Sequence, residues 1–232
     1  MINGLSEYEK YRVLRPVIGE HQLDNTYKMP IIHNTFDKCF DWEKVELISY
    51  RSLSPKRDNS AVVARMFRYD TELDRLWNHP LKCIPLFQTC AAVATPDFSL
   101  YPIMNINDIR HNVYRSRWLG CTWQNYGCQI IPTIGWVLPD TYDLCFSAVE
   151  EGCPVVVSTL GCAEHQDIFI DGFVEMKRRI KPSLIIVYGD LLPGITGRIL
   201  RIPYSESFVR KNGAKQLRMP EVPRVTVIKE AI

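Results

Sequence analysis

The 232-residue chain is 46% apolar and 23% charged, with a net charge of +2, which is the make-up of a globular protein and excludes a low-complexity or fibrous one. It is long enough for one large domain, and no apolar run approaches the ~20 residues that span a bilayer, so no membrane partner is expected. The first 23 residues scatter their charges and lack an apolar core ahead of a small-residue cleavage site, so no export signal is expected and the location is read as cytoplasmic.

The opening stretch offers few regular elements before VELISYR (45–51) and AVVARMF (61–67), which read as the first strands. The polar link SLSPKRDNS between them has no room for a crossover helix, leaving an antiparallel pair or a lid as alternatives. TELDRLWNHPLKCIPLF reads as a helix broken at Pro80, with Asp70 as its N-cap. AAVAT (91–95) is a short apolar strand. A long helix follows over 106–127, with Ile109 and Val113, then Tyr114 and Trp118, at spacings of four and Gly127 as its terminator.

QIIPTIGW (129–136) is the next strand, where Pro132 signals a bulge or an early end. TYDLCFSAV (141–149) is a short helix and VVVST (155–159) a buried strand. HQDIFIDGFVEMKRRI (165–180) puts Ile168, Phe169, Phe173, Met176 and Ile180 on one face, with acids early and bases late. SLIIVYGD (183–190) is the last clear buried strand, RILRIPY (198–204) is one more, and Pro220 and Pro223 mark an extended tail.

This alternation predicts an α/β fold with a mostly parallel sheet of repeated βα units. An irregular or incomplete TIM-like barrel is favoured over an open doubly wound sheet, because no glycine-rich phosphate fingerprint follows any strand. The chain divides into an N-terminal extension with the first strand (1–60), an α/β core (61–205) and a basic C-terminal tail (206–232), all within one compact domain.

In such folds ligands bind at the carboxyl ends of the strands. Those ends carry Asp97 and Ser99, Thr133 and Trp136, Ser158 and Thr159, and Tyr188 and Asp190. Asp97 and Asp190 are the candidate catalytic acid and base. Ser99, Thr133, Trp136, Ser158, Thr159 and Tyr188 are the candidate substrate-binding residues, the aromatics for stacking and the hydroxyls for polar edges. Each carboxylate has a structural alternative as an Asx turn. Cys162 precedes His165 by three residues at a strand-to-helix junction, where a helix N-terminus could lower a thiol pKa, but no orienting acid is evident.

The eight cysteines never form CxxC and read as reduced core thiols; no HxH or HExxH pairing supports a metal site. No cofactor is indicated. A nucleic-acid or nucleotide partner is suggested by Arg110, Arg115 and Arg117 interleaved with aromatics on the long helix, and by the tail. From Arg198 onward eight Lys/Arg face three acids, with Arg210, Lys211 and Lys215 as candidate phosphate contacts. Solvated arginines over inward-packed aromatics are the alternative.

The blocks TPDFSLY, NVYRSRWLGCTWQNYGCQIIPTIGW, VVVSTLGC and IIVYGD, in that order over roughly residues 60 to 205, resemble the phage and bacterial domain of unknown function 4417. The resemblance implies a phage or mobile-element origin and assigns no chemistry to any residue. Together these readings lead to an enzyme acting on a nucleotide or nucleic-acid component, with a non-catalytic nucleic-acid- or protein-binding factor as the alternative.

Overall fold

A computed structural model of the chain describes residues 22–37, 39–203 and 225–229, together with residues 4, 6, 9 and 14–16. Its strands are β1 (Glu46–Ser49), β2 (Val62–Arg65), β3 (Ala92–Ala94), β4 (Ile130–Ile131), β5 (Val155–Ser158), β6 (Ile185–Tyr188), β7 (Gly197–Ile202) and β8 (Val225–Ile228). The helices are α1 (Asp70–Asn78), α2 (Ile84–Phe87), α3 (Ile106–Asn125), α4 (Tyr142–Cys145) and α5 (Gln166–Ile180).

Strands β1 to β4 form one parallel sheet in chain order. Strands β5 to β7 form a second parallel set, with β8 antiparallel against β7. A parallel bridge from Thr133 to Val156 joins the two, where Ile134 donates its amide to the Val156 carbonyl (2.8 Å) and Val156 donates to that of Pro132 (3.0 Å). Pro132 has no N–H to give, so β4 is only two residues long.

The strand order follows the chain without reversing, so the doubly wound alternative, which needs a switch point, does not describe this sheet. The favoured TIM-like barrel is not confirmed as a closed one. Among the described residues β1 pairs only with β2, and β7 only with β6 and β8, so no closed barrel forms. Strands β1 and β2 are parallel despite their short link, which crosses over through a single 3₁₀ turn at Tyr50–Ser52.

The inner strands are apolar on both faces, as a covered parallel sheet requires, while β1 and β8 at the edges are partly exposed. Val63, Ala92, Ala94, Ile131, Val156, Ile186, Tyr188 and Leu200 point to one side and share a core with Trp42 and Val45. Their neighbours face the helices: Ala64, Val93 and Ile130 meet α1, α2 and α3, while Val155, Val157, Ile185 and Ile199 meet α4 and α5. The two sheets curl toward each other across the inner core. Phe67 after β2 stacks on Tyr188 of β6 at 4.5 Å, and Arg65 Nη1 donates to the Tyr188 hydroxyl (2.9 Å). Phe36, Phe40 and Trp42, with ring centroids 4.4–5.2 Å apart, pack against that core from the amino-terminal segment.

Helix α3 begins where the Asn105 side chain accepts from the Asn107 amide (2.9 Å) and ends ahead of Gly127 at φ +82°. Asp70 is not the N-cap of α1. Tyr69 holds that position and Asp70 is the first helical residue, which releases its carboxylate for a contact with Ser99.

Candidate functional site

The carboxyl ends of β2 to β6 open onto one cleft of about 620 Å³. Phe67–Tyr69 enter it after β2, Asp97–Pro102 after β3 and Ile134–Val137 after β4. Ser158, Leu160–Cys162 and His165 follow from β5, Ile168 and Phe169 from α5, and Tyr188 from the end of β6. Parallel pairing puts every one of these turns on the same side of the sheet.

Asp97 sits half-buried in the wall, its amide donating to the Met66 carbonyl at 3.4 Å. Its carboxyl has no hydrogen-bond partner among the described residues. Desolvation, reinforced by the negative charge of Asp70, pushes its pKa up to about 7. A carboxyl in that state donates or accepts a proton near neutrality.

The loop that carries Asp97 is clamped from below. Ser99 donates its amide (3.1 Å) and its hydroxyl (3.0 Å) to Asp70 Oδ1. Asn112 of α3 donates to the Ser99 carbonyl at 2.7 Å, and Arg115 bridges Asn112 to Asp74, each at 2.6 Å, with its guanidinium 3.7 Å from the Phe98 ring centre.

Trp136 lines the cleft with one face and packs with the other on Phe169 and Phe146, at 4.9 and 5.8 Å between centroids. It fits because α5 has a glycine beneath it: a Cβ at Gly172 would stand 2.1 Å from the indole Nε1. Gly172→Ala should therefore drive the indole off the helix and into the cleft, at a stability cost of about 1–2 kcal/mol. Near-UV circular dichroism and a thermal melt read both effects; an unchanged spectrum and midpoint would refute this packing.

The other candidates divide. Ser99, Ser158 and Tyr188 line the cleft, although the Ser99 hydroxyl is committed to Asp70 and the Ser158 hydroxyl accepts from the Leu160 amide at 3.3 Å. Thr133 is buried, its hydroxyl donating to the Thr95 carbonyl (2.6 Å) and its amide to the Thr95 hydroxyl (2.9 Å), so it fastens β3 to β4 instead of facing a ligand. Thr159 donates to the Asp190 carbonyl at 2.9 Å and locks the turn after β6. Asp190 lies outside the cleft lining; its side chain is 88% exposed and pairs with Arg201 Nη2 at 2.9 Å. The expected Asp97/Asp190 acid–base pair is therefore not assembled.

Cys162 and His165 both reach the cleft. Burial and the nearby Asp97 charge raise the Cys162 pKa, opposite to the lowering a nucleophilic thiolate needs. All eight cysteines are free thiols. Among the described residues no group of three or more His, Cys, Asp or Glu is placed to hold a metal ion, and no helix is long and apolar enough to cross a membrane.

The arginines of α3 are corrected in the same way. Arg115 is buried in the clamp described above. Arg117, 2% exposed, donates to the carbonyls of Ser147 (3.1 Å), Thr133 (3.2 Å) and Cys145 (2.8 Å). Only Arg110 of the three is exposed, with its guanidinium 5.7 Å from the Tyr27 ring centre. Arg210, Lys211 and Lys215 lie outside the described residues. Sequence reasoning missed Phe67, Arg68, Tyr69 and Tyr101 as cleft residues: Tyr101 lies just past a strand end it had singled out, whereas Phe67, Arg68 and Tyr69 follow β2, whose end it had not considered.

Over 128 residues the chain is 38% identical to the "Gene 1 protein" of Mycobacterium phage D29, covering 54% of this chain and 47% of that one. The "Gene 1 protein" of Mycobacterium phage L5 is 37% identical over 128 residues, 54% of this chain and 56% of that one. The match thus spans about half the length of these curated relatives. No solved structure matches. The family model of a domain of unknown function (DUF4417) covers residues 22–203. It reaches further toward the amino terminus than the sequence blocks suggested, because residues 29–45 help build the core: Ile32 bridges to Val149 and Trp42 packs against the inner strand face. With the match running from the strands of the inner core through every turn that lines the cleft, the chain belongs to the DUF4417 family.

Proposed function

We propose that this protein is an enzyme that acts on a nucleotide or nucleic-acid component bound at the carboxyl ends of the strands, on a singly wound, incomplete barrel. Asp97 is its general acid–base residue and Trp136 the surface on which a planar ring stacks. The observation that carries this reading is a carboxyl without a hydrogen-bond partner among the described residues, lining a cleft of about 620 Å³, its pKa pushed up to about 7 by burial and the charge of Asp70. The aromatic walls supplied by Phe67, Trp136 and Tyr188 suit a base or nucleoside ring. Burial of Arg115 and Arg117 leaves the non-catalytic alternative with Arg110 on this helix and with the basic C-terminal segment, most of which lies outside the described residues.

Calorimetric titration with nucleosides, nucleotides and short oligonucleotides, followed by product analysis, tests the proposal. One of these classes should bind. Trp136→Ala should weaken that binding by about tenfold or more, the worth of one stacked base. Asp97→Asn should leave binding within a few-fold and slow turnover by about 10²–10⁴. Absence of binding to all three classes, or full turnover by Asp97→Asn, would overturn it.

A further inference from the structure

The residue behind Asp97 is itself acidic and is gripped by the same loop. Asp70 opens α1, and its carboxylate accepts both the amide and the hydroxyl of Ser99, two residues beyond Asp97. Ser99 in turn is held by Asn112 of α3 through its carbonyl. Asp70 is 27 residues from Asp97 in sequence but is brought close enough for its charge to act on that carboxyl. As the first residue of a nine-residue helix it also sits where the backbone dipole favours an anion.

We propose that Asp70 is a positioning residue for the cleft: through Ser99 it holds the loop that presents Asp97, and its negative charge reinforces burial in keeping a proton on Asp97. This rests on the reading of Asp97 as the acid–base group and adds the regulation of that group. It also accounts for a costly juxtaposition. Two neighbouring carboxylates repel unless one of them keeps its proton. Among the described residues the Asp70 carboxylate accepts hydrogen bonds and that of Asp97 does not, so the proton belongs on Asp97.

Other ionisable groups surround Asp97. Arg68 follows β2 and is held by Glu72 of α1, with Nη2 2.9 Å from both carboxylate oxygens. Cys162 and His165 face the cleft from the β5–α5 connection, and Tyr188 from β6. Arg117 of α3 shares with Asp97 a small chamber of about 20 Å³ behind the wall. Asp70 is tied to the Asp97 loop through its own carboxylate.

The test follows the carboxyl carbons of the aspartates by NMR as pH is varied, in the full chain and without ligand, so it does not depend on any activity. In Asp70→Asn the amide oxygen still accepts from Ser99 while the charge is gone. The Asp97 midpoint should then fall by about half a pH unit or more from its position near 7. In Ser99→Ala the charge stays, and the midpoint should move far less. The wild-type protein supplies a second readout that needs no variant. The Asp70 resonance should show an inflection at the Asp97 midpoint, since coupled groups report each other's titration.

An unchanged midpoint in Asp70→Asn, an equal fall in Ser99→Ala, or an Asp70 resonance with no such inflection would overturn the proposal. If instead Asp70→Asn shifts the midpoint and Asp97→Asn retains turnover, the coupling stands and the catalytic reading of Asp97 fails.

Discussion

Asp97→Asn should make the protein more stable at pH 8 and leave it almost unchanged at pH 4. The unfolded chain binds this proton with the ordinary carboxyl value of 3.8, whereas the folded protein binds it up to about 7. Between those values the folded state holds a proton that the unfolded state has lost. Stability therefore falls as pH rises from about 4 to about 7 and levels off above. Asparagine never ionises and escapes that loss. The full difference would approach 4 kcal/mol at about 1.4 kcal/mol per pH unit. Because part of the carboxyl faces the solvent-filled cleft, roughly 2 kcal/mol is expected. For a chain of this size that raises the melting midpoint at pH 8 by about 4–8 °C. Calorimetry at the two pH values measures it. A variant that is instead less stable at pH 8 would show that the ionised carboxylate is bonded within the fold, and Asp97 would lose its standing as an acid–base group. A gain confined to alkaline pH is the signature of a group kept for chemistry at the expense of the fold.

Replacing Arg117 should have the largest effect on stability in this protein. Its guanidinium is almost fully buried and donates to three main-chain carbonyls, of the β4 turn and the end of α4. Burial lowers its pKa to about 10, which leaves it charged at neutrality. Arg117→Met keeps most of the volume but strips the carbonyls of Thr133, Cys145 and Ser147 of charged donors in a region that water does not reach. A loss of about 3–5 kcal/mol is expected. Arg117→Lys should recover only part of it, because an ammonium cannot serve three separated carbonyls from one planar fork. Arg110→Ala, on the exposed face of the same helix, should leave the midpoint unmoved. Urea denaturation of the three variants decides between a structural and a surface role: if Arg117→Met unfolds with the wild type, the carbonyl cluster does not depend on this side chain.

Much of the architecture was legible because it is local. Continuous β-branched, apolar runs mark β5 and β6, and the four-residue spacing of α5 announces the face that buries Phe169, Phe173, Met176 and Ile180. Parallel βα units then require the turns after the strands to share one side, which is enough to put Asp97 and Trp136 in one cleft. Arg117 also left a trace: it stands on the stripe of Ile109 and Val113, four residues beyond the latter, where a solvated cation does not belong. The tertiary structure alone decided how polar groups were partnered. A threonine or aspartate announces its capacity to hydrogen-bond but not with whom, and the partners lie far away in the chain: Ser99 with Asp70, Thr133 with Thr95, Asp190 with Arg201. Whether the sheet closes was equally out of reach, since closure depends on tilt and stagger accumulated over all the strands and not on any one of them. Apolar periodicity is a property of neighbours in sequence, whereas the satisfaction of a buried polar atom is a property of neighbours in space, and that is why the strands and helices could be read from the chain while the roles of Thr133, Thr159 and Asp190 could not.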